Sequence, residues 1–196
     1  RSLRATVLVI SEDGNPGEAK TILAESVVVA LDHCLFRAAD MDQFREETCQ
    51  ELGISNNQLT VTFSHTHSGG HVTRSRSKLP GGDLIGPYLD GLPKKVAEAY
   101  QVARQSLSSV TLTTATGFCA MAHQRDFWDE QNSTYVCGFN SQDKTEYPVT
   151  VIRMTDETGT SLETAVQSPS HPRTLSWAHP QTSPAFTGRN RDTGEN

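Results

Sequence analysis

A mixed α/β fold, one or two β-sheets with helices packed on them, is predicted by three features of the sequence. The run Val27-Val28-Val29-Ala30-Leu31 is apolar at consecutive positions, which is the pattern of an interior strand buried on both faces. Residues 39–52 follow, with Met41, Phe44, Thr48 and Leu52 spaced by three and four, as on one side of an amphipathic helix that Gly53 ends. After a short polar connection comes the β-branched run Thr60-Val61-Thr62-Phe63. Strand, helix and strand thus succeed one another as in a βαβ crossover.

The remaining elements follow in chain order. Residues 5–10 read as a strand and the Ser-Glu-Asp-Gly-Asn-Pro-Gly segment at 11–17 as a turn leading into the strand 22–31. Asp32 and His33 stand just past the C-terminal end of that strand, where open α/β sheets present groups to ligands. Asp32 is expected to accept a hydrogen bond from a nearby imidazole and so fix its tautomer; capping a helix N-terminus is its other reading. Residues 71–87 are polar and rich in Gly and Pro, a long loop whose Arg74, Arg76 and Lys78 read as a solvated cationic surface. Residues 87–107 carry Leu89, Leu92, Val96, Ala99, Tyr100 and Ala103 on one side, a second helix. Four β-type runs at 110–116, 135–140, 149–154 and 162–167 complete the pattern, and residues 187–196 read as a polar tail without hydrophobic periodicity.

The 196 residues suit one domain of ordinary size or a piece of a larger one. A formal charge of −6 and the lack of a basic stripe argue against a nucleic-acid partner. The longest apolar run, 27–31, is far short of the roughly 20 residues of a transmembrane helix, so the chain as given reads as soluble. Cys34, Cys49, Cys119 and Cys137 are scattered without a CxxC pair, which excludes a zinc-ribbon spacing and a disulfide scaffold and leaves buried free thiols.

The chemistry concentrates at residues 59–71, Leu-Thr-Val-Thr-Phe-Ser-His-Thr-His-Ser-Gly-Gly-His. If the strand continues through its first two histidines, His65 and His67 share a face, because side chains in a strand repeat every second residue. Two imidazoles can then meet one metal ion, as in many zinc hydrolases. Gly69 and Gly70 permit a sharp turn or a close backbone approach. The bland alternative is a solvated Ser/Thr/His/Gly loop. His171 likewise follows a β-type run, at 162–167, and sits before Pro172.

In order along the chain stand Ser-His-Thr-His-Ser-Gly-Gly at 64–70, Gly-Pro-Tyr-Leu at 86–89, Arg-Asp-Phe-Trp at 125–128, Val-Cys-Gly-Phe-Asn at 136–140 and Ser-His-Pro-Arg-Thr-Leu at 170–175. The set resembles the amino-terminal catalytic part of the neutral/alkaline, non-lysosomal ceramidase family, over residues 3–188. The resemblance implies a zinc-dependent hydrolase that cleaves the amide bond of an N-acylated sphingoid base or related N-acyl lipid. It implies His65 and His171 as zinc ligands and His67 as a catalytic residue of the same site, all meeting at one sheet edge, with residues 1–186 as the amino-terminal part of the amidase domain. The Glu and Tyr ligands that the family supplies from later sequence have no match here. The site is therefore expected to be incomplete, the domain a partial one, and the chain alone a weak zinc binder with little amidase activity. The alternative is an inactive fragment or a non-enzymatic α/β binding module. A metallo-β-lactamase-type HxHxDH motif is excluded because Gly69 stands where its Asp belongs.

Overall fold

A computed structural model of the chain describes residues 2–13, 22–140, 147–172, 175 and 181–194. It is mixed α/β and divides into two compact units, Arg1–Leu107 with Pro172–Asn196, and Ser108–His171.

In the first unit β1 (Ala5–Asp13) and β2 (Ile22–Leu31) pair antiparallel, and β3 (Leu59–Phe63) lies parallel to β2, giving the order β1-β2-β3. The connection from β2 to β3 runs through α1 (Ala38–Leu52), because a parallel neighbour requires a crossover. The register places Val9, Val27 and Leu59 in one row, Val7, Val29 and Val61 in the next, and Ala5, Leu31 and Phe63 in the third. These rows form the inner face of the sheet.

Helix α2 (Ile85–Gln105) brings Leu89, Leu92, Val96 and Tyr100 against that face, and α1 brings Phe44 and Leu52. Removing each such side chain from water contributes about 1.5–3 kcal/mol, which is what holds the helices to the sheet. The expectation that β2 is buried on both faces needs correction. Val27, Val29 and Leu31 are buried, whereas Val28 and Ala30 are half-buried and Ser26 is exposed. Both helices cover the same side, so β2 is central by hydrogen bonding yet sealed on one face. Gly53 ends α1 with φ at 69°, a left-handed conformation that costs glycine nothing.

The second unit contains β4 (Thr111–Phe118), β7 (Pro148–Thr155) and β8 (Ser161–Gln167) in an antiparallel sheet ordered β4-β7-β8, and a hairpin of β5 (Asp126–Asp129) with β6 (Thr134–Cys137). Strand β5 escapes sequence reading because its four residues, flanked by aspartates, carry no alternation; pairing with β6 defines it.

Residues expected as a polar tail are also different. They belong largely to α3 (Ala185–Gly194), whose polarity hides it from any hydrophobic pattern and whose Arg191 pairs with Asp32 of the same unit. Among the described residues no helix is long and apolar enough to cross a membrane, and all four cysteines are free.

Helix α2 is also tied to the sheet by a polar contact. The Tyr100 hydroxyl donates to the buried Glu25 carboxylate, which Arg104 approaches at 3.2 Å. Burial first, and the Glu25 contact second, push the Tyr100 phenol up from 10.0 to about 12. The unfolded chain loses this proton near 10.0 and the folded chain near about 12, so this stabilisation is complete below pH 10 and is lost as pH rises through that interval. Tyr100→Phe should destabilise the protein by about 1–3 kcal/mol at neutral pH by leaving Glu25 short of a donor. Urea unfolding measured from neutral pH to above 10 should show the gap between the two proteins narrowing as pH rises; a constant gap would contradict the coupling.

Candidate metal centre

Because β2 and β3 run parallel, their C-terminal ends emerge at one edge, with Leu31 opposite Phe63 and the Ser64 N–H donating to the Leu31 carbonyl at 2.9 Å. There the ladder stops. Strand β3 ends at Phe63, so His65 and His67 do not share a strand face as the alternation predicts. A local turn brings them together: His65 has φ at 55°, a left-handed conformation uncommon for any residue with a Cβ. Its ring then meets that of His67, with centroids 5.3 Å apart.

The turn also carries His65 to Cys34, three residues beyond β2. The Cys34 carbonyl can only accept, so the 2.8 Å contact has His65 Nδ1–H donating, which leaves the lone pair on Nε2. Cys34 Sγ lies 3.8 Å from each ring nitrogen of His65. One donor atom each from Cys34, His65 and His67 fall within 4.8 Å of one another, and all three residues are half-buried. Neutral imidazoles and a thiol in this proximity form a donor set suited to zinc. Burial pushes the Cys34 thiol up from 9.0, so without a cation beside it the sulfur stays protonated at neutral pH.

The intervening residues hold the loop in place. The buried Thr66 hydroxyl donates to the Ser183 carbonyl at 2.7 Å and the Ser68 hydroxyl to the Leu175 carbonyl at 2.9 Å, while the Ser183 N–H returns a bond to the Ser68 carbonyl at 3.1 Å. Positions 66 and 68 therefore anchor the loop to the C-terminal segment, while 65 and 67 carry the donors. The two glycines divide their roles. Gly70 takes φ at 77°, and a Cβ on Gly69 would lie 3.2 Å from the Asp32 carbonyl oxygen, so the close approach is to the end of β2.

Cys34, His67, His71, Arg76, Leu79 and Ile85 line a cleft of about 380 Å³. A hollow of about 450 Å³ lies elsewhere along α1, among Asp42, Arg45, Glu46 and Cys49, and gathers no histidine. The first cleft is the one that adjoins the chemistry.

Asp32 takes a part different from the one expected. Its carboxylate, 2% exposed, accepts from the Arg4 N–H at 2.9 Å and from Arg191 Nη2 at 2.7 Å; among the described residues no imidazole and no helix N-terminus hydrogen-bonds to it. A carboxylate so deeply buried requires a counter-charge, which a guanidinium supplies and a neutral imidazole does not. His33 is occupied as well, its Nε2 in contact with the Tyr88 hydroxyl, and burial lowers its pKa against the opposing pull of Asp32. Arg74 pairs with Asp90 at 2.6 Å and with Asp40 at 3.5 Å, a structural role, whereas Arg76 reaches the cleft. His171 is exposed at the end of the second unit, just past β8, and His71 is exposed in the first. Cys34 is the residue that sequence reading passed over. The signal was its place two residues after Asp32, at a strand end already marked as a ligand-presenting edge.

Two solved structures are similar in fold. A ceramidase complexed with C2 superposes with a TM-score of 0.60 at 14% identity, over 93% of this chain and 33% of that one. The neutral ceramidase from Pseudomonas aeruginosa gives 0.56 at 14% identity, over 93% of this chain and 34% of that one. At this identity the likeness is one of fold, and the chain spans about a third of the length of either structure. No family model and no curated protein matches the chain.

Arg191→Met should cost about 3 kcal/mol, the low end of the range for breaking a buried pair, since Arg191 retains 22% exposure and Asp32 retains the Arg4 N–H. Adding Asp32→Asn should recover part of the loss by removing the uncompensated charge. Urea midpoints of the single and double variants check both, and an unchanged midpoint for Arg191→Met would show that the Arg191–Asp32 pair contributes nothing to stability.

Proposed function

We propose that the chain forms part of a zinc-dependent amide hydrolase of the ceramidase kind, acting on an N-acylated sphingoid base or a related N-acyl lipid. Residues 1–186 are the amino-terminal part of its catalytic domain. The observation that carries this reading is the gathering of Cys34, His65 and His67 beside a cleft, in a fold similar to that of ceramidases. The motif resemblance adds His171.

On this reading His65 and His171 hold the zinc ion. The hydrogen bond from His65 Nδ1 to the Cys34 carbonyl fixes the tautomer and aims the Nε2 lone pair at the metal. Bound zinc lowers the pKa of water to about 7 and polarises the amide carbonyl. His67, which lines the cleft, is the catalytic residue: it takes the proton of the attacking water and passes it to the departing amine nitrogen as the C–N bond breaks. Leu79, Pro80 and Ile85 give the cleft an apolar flank for an acyl chain, and Arg76 gives it a polar end.

Zinc titration of the chelator-stripped protein should show binding that weakens by at least about tenfold in the His65→Ala, His171→Ala double variant. Equal binding by the two proteins would defeat the reading. Fatty-acid release from an N-acylated sphingoid base, followed at high protein concentration because turnover is expected to be slow, should depend on zinc and vanish in His67→Ala. Leu79→Asp should weaken the saturation of long-chain substrates more than that of short-chain ones. Release unaffected by both zinc removal and His67→Ala would assign the activity elsewhere.

A further inference from the structure

We propose that Cys34 is a metal ligand, its thiolate binding the same ion as His65. The inference rests on the reading of His65 as a metal ligand and deepens it by naming a donor that the histidine motif does not contain. It stands on geometry. A tetrahedral ion that holds sulfur at about 2.3 Å and imidazole nitrogen at about 2.0–2.1 Å sets the two donor atoms about 3.5 Å apart. Cys34 Sγ is 3.8 Å from His65 Nε2 and equally 3.8 Å from Nδ1, so the sulfur lies beside the ring, and a turn of the Cys34 side chain toward the Nε2 lone pair would let one ion meet both.

The backbone has already brought the two residues into register. The parallel pairing of β2 and β3 brings their C-terminal ends to one edge, and the Cys34 carbonyl accepts from Nδ1 of the same ring beside which its sulfur lies. One residue thus orients the imidazole through its backbone and joins it through its side chain. His67, the third member of the group within 4.8 Å, is close enough to act on a water at the ion. The thiol proton leaves to solvent when the Cys34–metal bond forms.

A thiolate also narrows the choice of cation. Sulfur favours zinc and cobalt(II) and disfavours magnesium and calcium, which take oxygen ligands.

Cobalt(II) substitution reads the proposal directly, since a thiolate ligand gives a near-ultraviolet sulfur-to-cobalt charge-transfer band that imidazole and water do not. The full 196-residue chain is stripped with chelator, reloaded with cobalt and compared with Cys34→Ser and Cys49→Ser. The wild type and Cys49→Ser should show the band; Cys34→Ser should lack it and bind cobalt at least about tenfold more weakly. A second measurement needs no variant. Zinc should slow alkylation of Cys34 in the wild-type chain while leaving Cys137 unchanged, with sites assigned by peptide mass spectrometry. Cobalt bound without the band, a band that survives in Cys34→Ser, or equal alkylation of Cys34 with and without zinc would each overturn the proposal. The band together with failure of zinc-dependent amide release would leave Cys34 as a ligand and remove the amidase reading; amide release without the band would do the reverse.

Discussion

The parallel pairing of β2 with β3 is the constraint on which the rest depends. An antiparallel neighbour would have sent the end of β3 to the opposite edge, leaving Cys34 and His65 separated by the length of a strand. The pairing in turn requires the crossover through α1, and that helix stays on the sheet because Phe44 and Leu52 bury against the rows led by Val27 and Val29. Hydrophobic burial far from the donors thus fixes which strand ends meet.

The second condition is local and carries a cost. His65 adopts a left-handed backbone that a residue with a Cβ avoids, so neighbouring contacts must hold it there. They are visible on either side: Thr66 and Ser68 bonded to the C-terminal segment, Gly69 against the Asp32 carbonyl, and the His65 ring against the Cys34 carbonyl. None of these involves a metal. These bonds order the loop through groups other than the donor side chains' lone pairs, which lowers the entropy that a ligand's binding would have to overcome.

Much of this was legible in the sequence and some was not, for physical reasons. Helices α1 and α2 announce themselves because one side of each is apolar, and β2 because Val27 to Leu31 is continuous. Two-sided burial of β2 was overread, since five apolar residues in a row show what a strand can bury and not what covers it. Helix α3 was invisible because a polar helix has no hydrophobic periodicity to detect. The proximity of His65 to His67 was anticipated by strand alternation, yet it arises from a turn, which depends on a backbone angle that residue identity does not reveal at histidine. Asp32 and Cys34 exchanged importance for a similar reason. Both lie at the end of β2, and only the packing of α3 decides that the carboxylate is taken by Arg191.

That exchange has an electrostatic consequence for the donor cluster. A free carboxylate at the end of β2 would place a fixed negative charge beside His65 whether or not a cation was present. With Asp32 paired to Arg191, nearby opposite charges largely offset each other, and the donors that face one another are two imidazoles and a thiol kept protonated by burial. On the proposed reading the negative charge of the cluster would come from Cys34, whose thiol burial keeps protonated in the absence of a cation. A thiolate formed there on metal binding would add its negative charge against the ion in a half-buried setting, where the interaction is screened less than in open water. The fold thus separates two demands that one carboxylate would have confused: a permanent ion pair that fastens α3, and a donor group of two imidazoles and a thiol that contains no carboxylate.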